Sequence, residues 1–354
     1  MKTVCFFNTN KAWGGGEKWH LTTAKELERR GYKSILVTHV HSQLKLKAIN
    51  ERLDVYPFNI GNLSFLNPLK IFVMALFLKT KKVDAIICNL PADLKLGGIA
   101  AKLAGVKKII YRRGMPHPLK NTWLNRFLFT NVLTDVVVNS QEIGRSLKQG
   151  NEAWFPESKM TLIYNGVDFN KTWDKEKKLY HKNGDEIVIG NAGRLTEQKG
   201  QKYLIEVAEL LKKDGVNFII LIAGEGELRQ QLQNSINEKG LQEQVKLLGH
   251  VEDMASFMNS LDVFVFPSLF EGSANTLIET IYYEVPVIAW DVSSNKEVIS
   301  QGQNGQLVKV GDTKEVYTLL KNKIYKSTMN FEDLLKSKFQ TVKNFEKLIS
   351  VLNS

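Results

Sequence analysis

Cysteine is nearly missing from this chain of 354 residues: only Cys5 and Cys88 occur, each inside an apolar run. That excludes a disulfide framework and predicts two buried thiols in a reducing compartment. Long hydrophobic stretches are missing too. The greasiest, "IFVMALFL" at 71–78, is flanked by lysines and is far short of the roughly 20 residues that span a bilayer. The start, "MKTVCFFNTNK", has an apolar run too short for a signal peptide, so the expectation is a cytoplasmic protein. Neither G-x-G-x-x-G nor a P-loop ending in Gly-Lys-Ser/Thr is present, and no Asp-x-Asp occurs anywhere. Carboxylates are scarce in one half only. Residues 1–168 carry 25 Lys and Arg against 12 Asp and Glu, whereas the remainder carries 23 against 25.

The excess of positive charge in the first half favours an anionic partner, such as a lipid headgroup or an acidic small molecule. Nucleic acid is set aside, because no aromatic–basic motif or recognition-helix pattern accompanies the charge. Basic residues cluster at Lys79, Lys81 and Lys82, after the apolar stretch, and at Lys107, Lys108, Arg112 and Arg113. The apolar segment is either a core helix of the first domain or a helix lying on a membrane surface.

Short β-branched runs alternate with helical stretches along the whole chain. "TVCFFNT", "SILVTHV", "DAIICNL", "KIIYRR" and "DVVVNS" come first, then "EIVIGNAG", "FIILIAGEG", "VKLLGH", "DVFVFPS" and "VPVIAW". Continuous apolar strands between helices imply parallel sheets covered on both faces. Two such blocks predict two doubly wound α/β domains, residues 1–168 and 169–335, with "NGVDFNKTWDKEKKLYHKNGDE" as the polar linker between the blocks and a final helix over 336–354. Ligands bind outside the carboxyl ends of such strands, so two facing sheets would enclose a cleft. Phe339, Phe345 and Leu348 fall at helical spacing in the last segment.

The chemistry-bearing residues sit at those strand ends. "NTNKAWGGGEKW" places Gly15 and Gly16 where bare backbone amides meet a helix N-terminus. "GNAGRLTEQKG" supplies Gly193, Arg194 and Lys199, an arginine fork and a lysine point charge suited to a diphosphate. In "FEGSANTLIET", Glu271 and Glu279 stand with seven residues between them. Ser273 is the expected N-cap, which leaves Glu271 in a loop and Glu279 inside a helix. Ionised carboxylates only accept hydrogen bonds and sugar hydroxyls donate them, so the pair could hold two polyol portions of one molecule.

The ordered set "GRLTEQKG", "AGEGELR", "LLGHVEDM", "DVFVFPSLFEGSANTLIET" and "SSNKEVISQGQNGQLV" resembles the retaining glycosyltransferases of family 4, which have the GT-B fold of two Rossmann-like domains. The likeness is dense over 190–311 and looser before 168. It implies that Arg194 and Lys199 bind a donor diphosphate, Glu279 the nucleotide ribose and Glu271 the transferred sugar. Ser273 and the backbone of Asn275, Thr276 and Leu277 would meet phosphate or sugar, while His250, Val251 and Glu225 would lie near the base. Gly15 and Gly16 would face the phosphates and the acceptor. His117, between two prolines in "YRRGMPHPL", departs from the common family form but stands for the histidine near the transferred sugar. Arg112 and Arg113 are candidates for an acidic acceptor or a lipid phosphate.

The resemblance further implies a nucleotide-sugar donor, UDP- or GDP-linked, and a hydroxyl acceptor; the basic first half and the Lys-flanked apolar stretch favour an acidic or membrane-held acceptor, such as a lipopolysaccharide, capsule or other glycan of the bacterial envelope. It implies neither cofactor nor metal, and a final helix returning to the first domain. Peripheral contact with an anionic membrane, at the inner face of the cell membrane, is a further expectation. The competing readings are a GT-B nucleotide-sugar epimerase or phosphorylase-like enzyme, and a non-catalytic nucleotide-sugar-binding subunit of a membrane assembly.

Overall fold

The computed structural model describes residues 1–168, 172–292, 294–325 and 336–354. Phe169 to Lys171 of the expected linker, Ser293 of the second-domain motif and residues 326–335, which end at the expected 335/336 boundary, lie outside the described residues.

The chain divides into two compact units: Met1–Asn165 with Lys343–Ser354, and Gly166–Val342. Unit 1 carries seven parallel strands: β1 (Thr3–Asn8), β2 (Lys33–Thr38), β3 (Asp54–Pro57), β4 (Ala85–Cys88), β5 (Lys108–Arg113), β6 (Asp135–Val138) and β7 (Met160–Leu162), in the order β3-β2-β1-β4-β5-β6-β7. Its helices are α1 (Gly15–Arg29), α2 (Gln43–Asn50), α3 (Pro68–Thr80), the short α4 (Pro91–Asp93), α5 (Ile99–Ala104), α6 (Trp123–Phe127) and α7 (Gln141–Lys148).

Unit 2 has six parallel strands: β8 (Ile187–Ala192), β9 (Phe218–Ala223), β10 (Val245–Gly249), β11 (Val263–Phe266), β12 (Val287–Trp290) and β13 (Gly305–Val308), ordered β10-β9-β8-β11-β12-β13. Around them run α8 (Gln201–Lys213), α9 (Arg229–Glu238), α10 (Met254–Met258), α11 (Asn275–Tyr282), α12 (Asn295–Val298) and α13 (Thr313–Lys321). The last helix, α14 (Thr341–Asn353), belongs almost wholly to unit 1. Each unit is thus a doubly wound, Rossmann-like sheet of the kind the alternation predicts.

The ten apolar runs all become strands. The three strands that the pattern does not announce, β3, β7 and β13, are all edge strands, and they are only partly buried. With a neighbouring strand on one side only and partial burial, they need no continuous apolar run. Central β1 is buried at every residue, and its Cys5 pairs with Ile35 of β2 and Ile86 of β4. Both cysteines are free and buried, and burial pushes both thiols far above their ordinary range.

Two readings of connecting segments change. The polar stretch after β7 is not a loose linker where it is described. Leu179 N donates to Ser256 O at 2.9 Å and Lys177 pairs with Asp253 at 2.7 Å, which lays residues 173–182 along unit 2. The unit boundary falls between Asn165 and Gly166 rather than after 168, and again between Val342 and Lys343 rather than at 335/336. α14 puts Phe345 and Leu348 into the core of unit 1 beside Leu27 of α1, while Phe339 is buried in unit 2. Arg30 of α1 fixes the helix by pairing with Glu346 and lying 4.7 Å from the centre of the Phe345 ring.

Candidate active site

In unit 2 the loops that follow β8, β9, β10 and β11 meet at the carboxyl rim of the sheet. They do so because the backbone approaches itself too closely for side chains. Gly224, at φ +144°, would place a Cβ 1.9 Å from the Gly193 carbonyl oxygen, and Gly200, at φ +65°, would place one 2.1 Å from that of Pro267. Hydrogen bonds close the same gaps. Gly193 N donates to Ala223 O, Leu195 N to Glu225 O, Gly224 N to Gly249 O and Leu269 N to Gln198 O, all at 2.7–3.0 Å. Gln198 adds a side-chain bond to Phe270 O at 2.8 Å.

This frame brings together residues far apart in sequence. Lys199 Nζ donates to Glu271 Oε1 at 2.6 Å, with both side chains largely buried. The ammonium also lies 5.3 Å from the centre of the Phe266 ring, a cation–π contact from beneath. Arg194 projects from the same loop and is exposed. Lys199 therefore does not wait as a bare charge: its carboxylate partner already accepts from one of its three N–H groups.

Glu271 sits in the loop and Glu279 lies within α11, half-buried. Ser273 does not cap that helix. The N-cap is Ala274, and Ser273 Oγ instead donates to Asn275 Oδ1 at 3.2 Å. With no side-chain cap at Ala274, the first turn of α11, from Asn275 through Thr276 to buried Leu277, presents the positive end of a helix dipole. On the neighbouring loops Glu225 pairs with Arg229 at 3.2 Å, and its Oε1 would lie 2.8 Å from a Cβ at Gly249, next to exposed His250 and half-buried Val251.

Sequence reasoning passed over two polar groups at the same rim. Asn191 Oδ1, at the end of β8, and Ser268 Oγ, just after β11, are buried without a hydrogen-bond partner. Their signal was a polar residue closing an apolar run, in "IVIGNA" and "VFVFPS".

The carboxyl rim of unit 1 is built differently. Gly15 and Gly16 begin α1 behind an extended Gly14 that offers no side-chain cap. Beside them Glu17 is buried, and its Oε1 accepts from Asn10 at 3.0 Å, Asn8 at 3.2 Å and Asn89 at 3.5 Å. A carboxylate thus already stands in the first turn, where a phosphate was expected to lie against the amides.

Arg112 is the clearest departure from expectation. It is 2% exposed, so it meets no acceptor in this state. Its guanidinium stacks 4.3 Å from the centre of the Trp19 ring and donates to Asn165 Oδ1 at 3.0 Å. Burial pulls its pKa down to about 10, with Glu17 opposing the fall. His20, packed next to Trp19, is fully buried with neither ring nitrogen bonded; burial, reinforced by Arg112, holds it well below its ordinary pKa and so neutral.

Arg113 is half-buried and donates to the His117 carbonyl oxygen at 2.9 Å and to Tyr111 Oη at 2.8 Å, so it shapes the loop that exposes His117. Asp93, which the sequence did not single out, is fully buried near the same rim. It accepts from Thr9 Oγ1 at 2.6 Å and Leu90 N at 2.8 Å, and burial pushes it up to about 7.

Among the described residues no group of three or more His, Cys, Asp or Glu could hold a metal ion, and no helix is long and apolar enough to cross a membrane.

Two family profiles tile this architecture. Residues 13–171 match Glycosyltransferase Family 4, and residues 173–329 match Glycosyl transferases group 1. Each match takes in a little under half of the chain, and together they show that both units are similar to glycosyltransferases. It is 31% identical over 240 residues to the capsular polysaccharide biosynthesis glycosyltransferase CapM of Staphylococcus aureus, covering 62% of each chain. It is 28% identical over 244 residues to the O-antigen biosynthesis glycosyltransferase WclY of Escherichia coli, covering 66% of this chain and 64% of that one. The matched stretch therefore spans a little under two thirds of either relative. The crystal structure of Anabaena Alr3699/HepE in complex with UDP and glucose superposes with a TM-score of 0.82 over the whole of both chains at 22% identity, and the fold of this chain is GT-B.

Proposed function

We propose that this glycosyltransferase moves a sugar, with retention of configuration, from a nucleoside diphosphate donor to a hydroxyl of a glycan or lipid-linked acceptor. Its setting is the synthesis of bacterial envelope polysaccharide at the cytoplasmic face of the membrane. The relatives named for capsule and O-antigen synthesis support the acceptor class, and the UDP in the HepE complex favours UDP over GDP.

The observation that carries the reading is the Lys199–Glu271 pair beside the uncapped start of α11. Breaking the sugar–phosphate bond leaves negative charge on the departing diphosphate and positive charge on the ring. Lys199, Arg194 and the α11 amides answer the first as fixed positive groups, without a metal ion. Glu271, held by Lys199, faces the transferred sugar and Glu279 the ribose, each accepting from hydroxyls. The loops carrying Glu225, His250 and Val251 flank the base. In unit 1, the Gly15–Gly16 loop and exposed His117 serve the acceptor side.

The acceptor oxygen forms its bond to the anomeric carbon on the face from which the diphosphate leaves, and a diphosphate oxygen takes the hydroxyl proton. No protein nucleophile is required.

Thermal shift with UDP, GDP and their sugars tests donor binding, since a ligand bound only to the native state raises Tm. NMR of the product anomer tests retention. No shift with any nucleotide, an inverted product, or turnover abolished by chelator would each overturn the corresponding part. Epimerised donor formed without an acceptor would replace the reading with that of an epimerase.

A further inference from the structure

α3 is apolar all round, yet only one side of it is used by the fold. Met74 and Leu78 enter the core of unit 1, while Leu69, Phe72 and Leu76 stand 68, 65 and 54% exposed. A helix greasy on every side is normally enclosed, and this one is open on its outer face. α5 packs on α3 and adds Leu103, 69% exposed. α6 runs into Leu128, Phe129 and Val132, which share the core cluster of Met74 and Leu78, so it belongs to the same helical layer. Its outer side carries Trp123, 77% exposed and stacked on Phe127 with centroids 5.7 Å apart.

The charge of this layer says what covers it. Between Asp54 and Asp135 the sequence contains 12 Lys and Arg and only two carboxylates, Asp84 and Asp93. Asp93 is buried, and Asp84 accepts from Thr3 N at 2.9 Å. Cations such as Lys79, Lys82, Lys102 and Arg126 thus border the exposed apolar side chains with no acid from that stretch to offset them outside; of the two flanking acids, Asp54 lies 3.9 Å from Lys81 and Asp135 pairs with Lys108 at 3.2 Å. A second copy docking through this face would bring two cationic surfaces together. A bilayer with anionic headgroups satisfies both features at once: its acyl boundary takes Leu, Phe and Trp, and its phosphates take lysine and arginine.

We infer that the outer face of α3, α5 and α6 is a membrane-docking surface for anionic lipid, with Leu69, Phe72, Leu103 and Trp123 entering the interface. The inference rests on the proposed transfer to a lipid-linked acceptor and gives that reaction its place, while donor binding in unit 2 does not depend on it.

Cosedimentation of the full chain with phosphatidylcholine vesicles, alone or with about a quarter phosphatidylglycerol, tests it. The protein should pellet with the anionic vesicles, less so as salt is raised. Phe72→Ser with Trp123→Ser should weaken that partition by about tenfold or more, as should Lys79→Glu with Lys82→Glu and Lys102→Glu, all with unchanged Tm and unchanged UDP-induced shift. Wild-type protein left in the supernatant, or folded variants that pellet as the wild type does, would overturn the docking surface. So would a wild-type dimer in ultracentrifugation that Phe72→Ser with Trp123→Ser turns into monomer without any vesicle binding. A missing UDP shift alongside intact vesicle binding would count against the transferase reading alone.

Discussion

The two sheets of this protein are built alike, and their carboxyl rims handle charge in opposite ways. In unit 2 the loops after β8 and β11 bring Lys199 and Glu271 into contact at the rim, with Arg194 exposed in the same loop. In unit 1 the charges at the equivalent rim are turned inward: Glu17 is enclosed by three asparagine amides, and Arg112 is sealed against Trp19 with a hydrogen bond to Asn165. A cation that must neutralise a ligand has to keep N–H groups available, whereas one that holds a loop in place can spend all its contacts on the protein. The same topology therefore leaves charge at the rim of one unit and a polar frame turned inward in the other.

The largest effect expected of this contrast is kinetic. Lys199→Ala or Arg194→Ala should lower turnover by roughly 10²–10³, as loss of one preorganised donor to a developing anion does, read by steady-state transfer from a UDP-sugar. The Lys199 change should also reduce stability, because Glu271 would be left as a largely buried, unpaired carboxylate. Turnover at the wild-type rate in a variant lacking both cations would end the idea that unit 2 carries the fixed charge.

In unit 1 the expectation is the reverse. Arg112→Met should cost about 3 kcal/mol in urea unfolding, since it removes the interior cation that offsets buried Glu17, yet leave the UDP-induced thermal shift in place. A stable variant that loses donor binding instead would erase the distinction between the two rims.

Asp93 sharpens the comparison through pH. Its folded pKa is raised to about 7 from an unfolded value near 3.8. The fold thus favours the protonated form, and that contribution is complete below the unfolded value and lost as pH rises through 7. Between pH 5 and 8 the wild type should lose on the order of 2 kcal/mol from this group, and Asp93→Asn should flatten that part of the profile in denaturant titrations. A wild-type profile that rises over the same range would mean that Asp93 is ionised in the fold.

The smallest effect on stability belongs to His117. It is exposed, so His117→Ala should shift unfolding by less than about 0.5 kcal/mol. Transfer kinetics then isolate its chemistry: a fall in kcat supports contact with the sugar or acceptor, and an unchanged kcat removes His117 from the site.

Several of these residues were visible in the sequence for local reasons. A strand covered on both faces needs an unbroken apolar run, so β1, β4 and the other inner strands announce themselves. Glycines at strand ends mark where backbone meets backbone, as at Gly200 and Gly224. The placing of Glu271 in a loop and Glu279 in a helix follows from the turn between them. Edge strand β3 and terminal strands β7 and β13 escaped because one-sided or short pairing leaves no such run. Arg112 escaped because nothing in "YRRG" says which of two adjacent arginines points inward.

By itself, then, the sequence determined two parallel α/β units, the positions of their inner strands along the chain and the strand-end loops that bear polar and charged side chains, because burial and turn geometry are written over a few neighbouring residues. Only the tertiary structure decided that Lys199 would pair with Glu271, 72 positions away, that Arg112 would lie inside while Arg113 holds the His117 loop, and that α3 would leave Leu69, Phe72 and Leu76 exposed. The physical reason is that a charge or an apolar face takes its meaning from whatever the strand order brings beside it, and that neighbour is set by packing rather than by position along the chain.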